Sequence, residues 1–105
     1  MKEISVQELK NKFDNKEDFI LLDVRTSDEY STCKINNSIL IPLNELSSRF
    51  NELNKDKEII VHCHHGSRSS RAIQFLESVG FNNLKNLKGG INSWSLEIDP
   101  NVPVY

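Results

Sequence analysis

Hydrophobic positions along the chain fall into two spacings, short unbroken runs and stripes at helical period, and their alternation sketches the fold. Val6, Leu9 and Phe13 recur on one helical face, behind a capping box in Ser5-Val6-Gln7-Glu8 and a hydrophobic staple between Ile4 and Leu9. Asp14 to Asp18 form a solvated turn. Phe19-Ile20-Leu21-Leu22 is unbroken, as a strand covered on both faces is, and Asp23 ends it. Thr26-Ser27-Asp28-Glu29 is a second capping box, opening a short helix that runs to Thr32. Ile39-Leu40-Ile41 is another buried run, stopped by Pro42. Leu43, Leu46, Phe50 and Leu53 then share one helical face, and Asn54 to Lys57 lead into the run Ile59-Ile60-Val61. Ala72, Ile73, Leu76 and Val79 form the next stripe, with Gly80 as a left-handed cap and Phe81 packing back. Leu84 and Leu87 mark a short last strand. Gly89-Gly90 then turns the chain into a helical turn carrying Ile91 and Trp94, before an irregular tail from Asp99-Pro100.

Short buried strands alternating with amphipathic helices predict an α/β fold, a parallel sheet with helices on both faces. Ligands of such sheets gather at the carboxyl ends of the strands, where Asp23, Arg25 and Cys63 all fall. No repeat, linker or low-complexity tract divides the 105 residues, so one domain over 1–105 is expected. A hydrophobic content of 37% and a charged content of 27% place it among ordinary globular chains, not disordered or fibrous ones. The net charge of −2 predicts attraction neither to nucleic acid nor to a membrane surface. With no long apolar run, the expected location is the cytoplasm. Two cysteines make no disulfide framework, and a reducing compartment suits a working thiol.

The chemistry concentrates in the stretch from Ile59 to Arg71, which reads strand, tight loop, helix start. Cys63 closes the strand, and the helix beginning just beyond it presents unpaired N–H groups and the positive end of its dipole, which stabilise a thiolate or a bound anion. Gly66 is suited to a positive φ that turns those N–H groups inward. His62, His64, His65, Arg68 and Arg71 crowd around Cys63 with no acid among them, so the mouth should attract small anions. The competing reading of Cys63 is a buried structural cysteine at a strand end. His64 and His65 either donate to substrate or are exposed loop residues, and Ser67 and Ser69 either face substrate or cap the helix. His62-Cys63-His64-His65 does not read as a metal site, because adjacent residues at a strand end diverge and no second ligand pair follows at zinc spacing.

Cys63-His64-His65-Gly66-Ser67-Arg68-Ser69 resembles the active-site loop of the rhodanese sulfurtransferase family. Leu21-Leu22-Asp23-Val24-Arg25 with Glu29-Tyr30 resembles its Asp-Val-Arg motif, Ile39 to Leu43 its next strand and turn, and Leu87 to Trp94 its closing Gly-Gly…Trp motif. The resemblance implies a rhodanese-like three-layer sandwich with a five-stranded parallel sheet. It also implies a sulfurtransferase that carries sulfane sulfur from thiosulfate or a persulfide donor as a Cys63 persulfide, without a cofactor. In that reading His64, His65, Gly66, Ser67 and Arg68 bind substrate, while Asp23 and Arg25 brace the loop through charge-assisted hydrogen bonds. The partners implied are a small anionic sulfur donor and a sulfur-donor or sulfur-acceptor protein.

Phosphatases of the same fold use a Cys-x5-Arg loop. Here Arg68 makes Cys-x4-Arg, and Ser69 stands where such an enzyme needs its arginine, which argues against phosphate or arsenate chemistry. A catalytically silent interaction module is the rival from another class. The chain departs from the family at Lys34-Ile35-Asn36-Asn37-Ser38, where Asn37 can supply the left-handed turn that glycine usually provides. Cys33, just before, is either a resolving thiol for Cys63 or a small side chain in a connection.

Overall fold

The computed structural model describes residues 1–105. Its sheet has five strands, all parallel, in the order β1-β5-β4-β2-β3. The strands are β1 (Glu3–Ile4), β2 (Phe19–Asp23), β3 (Ser38–Leu40), β4 (Glu58–His62) and β5 (Leu84–Leu87). The helices are α1 (Val6–Asp14), α2 (Ser27–Thr32), α3 (Leu46–Arg49), α4 (Ser67–Ser78) and α5 (Gly90–Glu97). No helix is long and apolar enough to cross a membrane.

Successive side chains of a strand point to opposite faces, and the central pair β2 and β4 sorts its residues accordingly. Leu21 lies opposite Ile60 and packs with Val6, Leu9, Ile91 and Trp94, the apolar faces of α1 and α5. Leu22 lies opposite Val61 and packs with Leu46, Ala72, Ile73 and Leu76 of α3 and α4. Each such fully buried aliphatic side chain contributes about 1.5–3 kcal/mol, against about 1 kcal/mol for a helix cap, so the two clusters hold the layers together. The caps set where helices begin. Ser5 Oγ accepts from Glu8 N–H at 3.0 Å and Glu8 Oε1 from Ser5 N–H at 3.0 Å, while Thr26 and Glu29 repeat the arrangement at α2.

Three elements differ from the reading of the sequence. The run at β3 is not buried throughout, because β3 is an edge strand and its Ile39 is 47% exposed. Leu43 to Leu53 is no continuous helix: 3₁₀ turns at Leu43–Glu45 and Phe50–Glu52 flank the four-residue α3. The stripe itself carries the reason, since Leu43 to Leu46 and Phe50 to Leu53 are steps of three and only Leu46 to Phe50 is a step of four. The edge strand β1 pairs with β5 through just two residues, too few for an alternating pattern to announce. At the departure before β3, Asn37 has φ +69°, the left-handed turn expected of it.

Candidate active site

Parallel β2 and β4 end side by side, with Asp23 opposite His62, so the residues that follow them emerge at one edge. Cys63 comes next, and the chain turns through Gly66, φ +133°, into α4. The inward turn of this loop is enforced from α5. Ile91 N–H donates to Cys63 O at 3.0 Å and Asn92 N–H to His64 O at 3.1 Å, so the loop carbonyls point outward. Gly90 permits that approach: a Cβ there would lie 2.4 Å from His64 O and 2.5 Å from Cys63 O. With the carbonyls bound outside, Gly66 N–H donates to Cys63 Sγ at 3.0 Å. The N–H groups of His64, His65, Ser67, Arg68 and Ser69 donate to no protein atom.

Below the sulfur, Ser69, read as substrate-facing or helix-capping, and Asn86, which the sequence reading left aside, support the loop. Ser69 is fully buried, its Oγ 3.4 Å from Sγ, 3.0 Å from Gly66 O and 2.6 Å from Asn86 Oδ1. Asn86 on β5 returns Nδ2–H to Gly66 O at 3.2 Å and to Ser70 Oγ at 3.0 Å. Asn86 is buried, and its polar side chain between the apolar residues of a strand is the one signal the sequence offered.

The mouth of the loop is less basic than the sequence implied. Glu29, whose capping role was visible, also reaches across from α2 and grips Arg68, Nη1 to Oε1 at 2.6 Å and Nη2 to Oε2 at 3.0 Å. The Arg68 guanidinium, with Tyr105 and Thr26, holds the Glu29 carboxyl well below the usual carboxylate range against the opposing effect of burial. The expectation of a mouth without an acid is therefore corrected, because a helix distant in sequence supplies one.

Of the other residues singled out, His64 is half-buried, its ring 4.0 Å from that of His65 and stacked at 4.1 Å on Tyr105. Burial, and then His65, lower its pKa, so its ring is neutral near pH 7. His65 and Ser67 are exposed. Asp23 and Arg25 are completely buried and joined by bonds of 2.7 to 3.1 Å. Neither bonds to the loop directly. Arg25 instead donates to Cys33 O at 2.8 Å and Tyr105 Oη at 3.0 Å, so its reach to the loop runs through Tyr105 and Glu29. Tyr105, in what read as an irregular tail, was missed altogether. Cys33 packs in the cluster beneath α1 and α5, and Cys63 in the one beneath α3 and α4; both are free thiols.

Cys63 is only 1% exposed, although its N–H cradle is intact. Beside the loop lies a cleft of about 400 Å³ lined by Thr26, Leu43, Asn44, Arg68 and Arg71, among others. Arg71 is exposed and pairs with no acid. The arrangement can stabilise negative charge on the cysteine sulfur, or on an atom bonded to it, with backbone dipoles fixed in advance.

Comparison with known proteins gives this arrangement a setting. The family model described as a rhodanese-like domain matches residues 5–97. The chain is 36% identical, over 97% of its length, to the adenylyltransferase and sulfurtransferase MOCS3 of Arabidopsis thaliana, and 31% identical, over 89% of its length and 87% of the relative's, to a sulfurtransferase of Allochromatium vinosum. A rhodanese-like domain protein of Staphylococcus aureus superposes with a TM-score of 0.87 at 31% identity, covering 100% of this chain and 99% of that one. The chain spans only 22% to 50% of the length of the first three curated relatives it matches.

Proposed function

This chain belongs to the rhodanese-like domain family, and on that premise we propose that it is a sulfurtransferase carrying sulfane sulfur on Cys63. The observation that carries the reading is the cradle itself: Gly66 N–H on Sγ at 3.0 Å, with the neighbouring loop N–H groups free to meet a further sulfur atom. In the first half-reaction the Cys63 thiolate attacks the outer sulfur of thiosulfate. The Cys63–S bond forms, the sulfur–sulfur bond of the donor breaks, and its electron pair leaves with sulfite. The charge now sits on the outer sulfur of the persulfide, where the free loop N–H groups and the start of α4 stabilise it. In the second, an acceptor such as cyanide takes that sulfur as thiocyanate and the electron pair returns to Cys63, a ping-pong cycle.

Thiosulfate stands here as the generic donor; a persulfide on a donor protein feeds the same step, and an acceptor protein can replace cyanide. Arg68, or Arg71 in the neighbouring cleft, is the group to meet an anionic donor, while His64, His65, Gly66 and Ser67 complete the mouth. Asp23 and Arg25 are supports. The position of Ser69, turned inward to Asn86, argues against phosphate chemistry at this loop. Incubation with thiosulfate should add one sulfur atom to the protein, read by intact mass, and Cys63→Ser should abolish both the adduct and thiosulfate:cyanide turnover. Undiminished turnover in Cys63→Ser, or no adduct with any sulfane donor, would overturn the proposal, the latter in favour of an interaction module.

A further inference from the structure

The thiol that must meet a sulfur donor is covered, and one side chain from outside the loop lies against the residue that follows it, His64. Tyr105 Oη donates to Glu29 Oε2 at 2.7 Å and accepts from Arg25 Nη1 at 3.0 Å. Its ring lies stacked on His64, centroids 4.1 Å apart and planes 21° from parallel. These contacts join the end of β2, the helix α2 and the active loop, three segments brought together only by the fold. None of the surface cavities is lined by Cys63 or His64.

The segment that delivers Tyr105 has a defined anchor. Val102 is buried, 8% exposed, in the cluster beneath α1 and α5, whereas Val104 is 58% exposed. Tyr105 stands three residues past the anchor and belongs to neither apolar cluster, so the ring can swing off His64 without disturbing the core. Val104 holds nothing in place. What keeps the strap closed is the ring stack and the two hydrogen bonds to charged partners, and the phenol keeps its proton for them because burial pushes its pKa up to about 12.

We propose that Tyr105 is the gate of the sulfur-transfer site, an access-controlling residue that a donor or acceptor displaces to reach Cys63. The proposal rests on the reading of Cys63 as the reactive thiol. Opening also removes one hydrogen bond from Glu29, the bond from Tyr105, so displacement of the strap loosens the carboxylate that restrains Arg68. Access and the release of a binding arginine are thus coupled through one carboxylate.

The test uses the full chain and a probe independent of sulfur transfer, alkylation of Cys63 by iodoacetamide, located by peptide mass mapping and followed from pH 6 to 10. Tyr105→Ala should alkylate about tenfold faster than the parent, a change equivalent to about 1.4 kcal/mol. Tyr105→Phe, which keeps the stack and loses both hydrogen bonds, should fall between the two. Circular dichroism of both variants should match the parent, since the side chain lies outside the core. A rate for Tyr105→Ala within twofold of the parent would overturn the gate, as would a gain arising only from a displaced pH profile, which would place the effect on thiol ionisation and not on access. Either failure leaves the persulfide reading standing, because that reading is decided by the sulfur adduct.

Discussion

Glu29 shows how one side chain can be plain in a sequence and still be misjudged. Its place three residues after Thr26 announces a helix cap, and the cap is there, Thr26 N–H donating to Oε1 at 3.1 Å. The same oxygen takes Arg68 Nη1 at 2.6 Å, a contact across 39 positions that no local pattern encodes. Cys63, Gly66 and Asn37 were legible because each answers a local demand, a strand end beside a helix start or a backbone of positive φ. Glu29 at the mouth, Ser69 with Asn86, and Tyr105 were not, because their partners lie on other elements. Glutamine is also accepted at the third position of a capping box, so Glu29→Gln isolates the charge. The freed Arg68 should then hold an anionic donor better. Steady-state kinetics should give a thiosulfate KM several-fold lower with kcat within twofold; a raised KM would mean that the ion pair positions Arg68 for binding.

At the scale of elements, the spacing of apolar residues located four of the five strands and, with the capping box of α2 and the glycine pair before α5, the helices; its misreading of Leu43 to Leu53 came from treating steps of three as helical period. It could not foresee that the start of α5 is the clamp of the active loop. Gly89-Gly90 read as a turn, yet Gly90 is where α5 comes closest to the loop, and its N-terminal N–H groups hold the Cys63 and His64 carbonyls. Gly90→Ala puts a methyl group 2.4 Å from a backbone oxygen at φ +60°. Something must shift, and strain of this kind costs on the order of 1–3 kcal/mol. The expected result is a lower midpoint in urea together with at least a tenfold loss of persulfide formation. Lost stability with undiminished activity would show that the clamp does not orient the N–H groups.

Across the whole molecule, the parallel sheet gathers its charged interior at one end. Asp23, Arg25 and His62 are all fully buried there, with His62 Nε2 3.6 Å from Asp23 Oδ2. Burial lowers the His62 pKa from 6.5, outweighing the attraction of Asp23. The unfolded chain therefore takes up a proton as pH falls below about 6.5 while the folded one resists, so this contribution to stability is present above that pH and is lost on acidification. Thermal midpoints should decline from about pH 6.5 downward, before most carboxylates titrate. His62→Phe should flatten the limb in part, since His64 acts in the same sense. An unchanged limb in that variant would assign it elsewhere. The placement of the two thiols in separate clusters, one on each side of the sheet, has a consequence for traffic. If Cys63 carries sulfur as proposed, that cargo finds no second berth among residues 1–105: Cys33 cannot unload it, nor close a ring that retires the site. Each delivery in that reading ends at an acceptor outside these residues, and the throughput of the domain is set by what meets its loop.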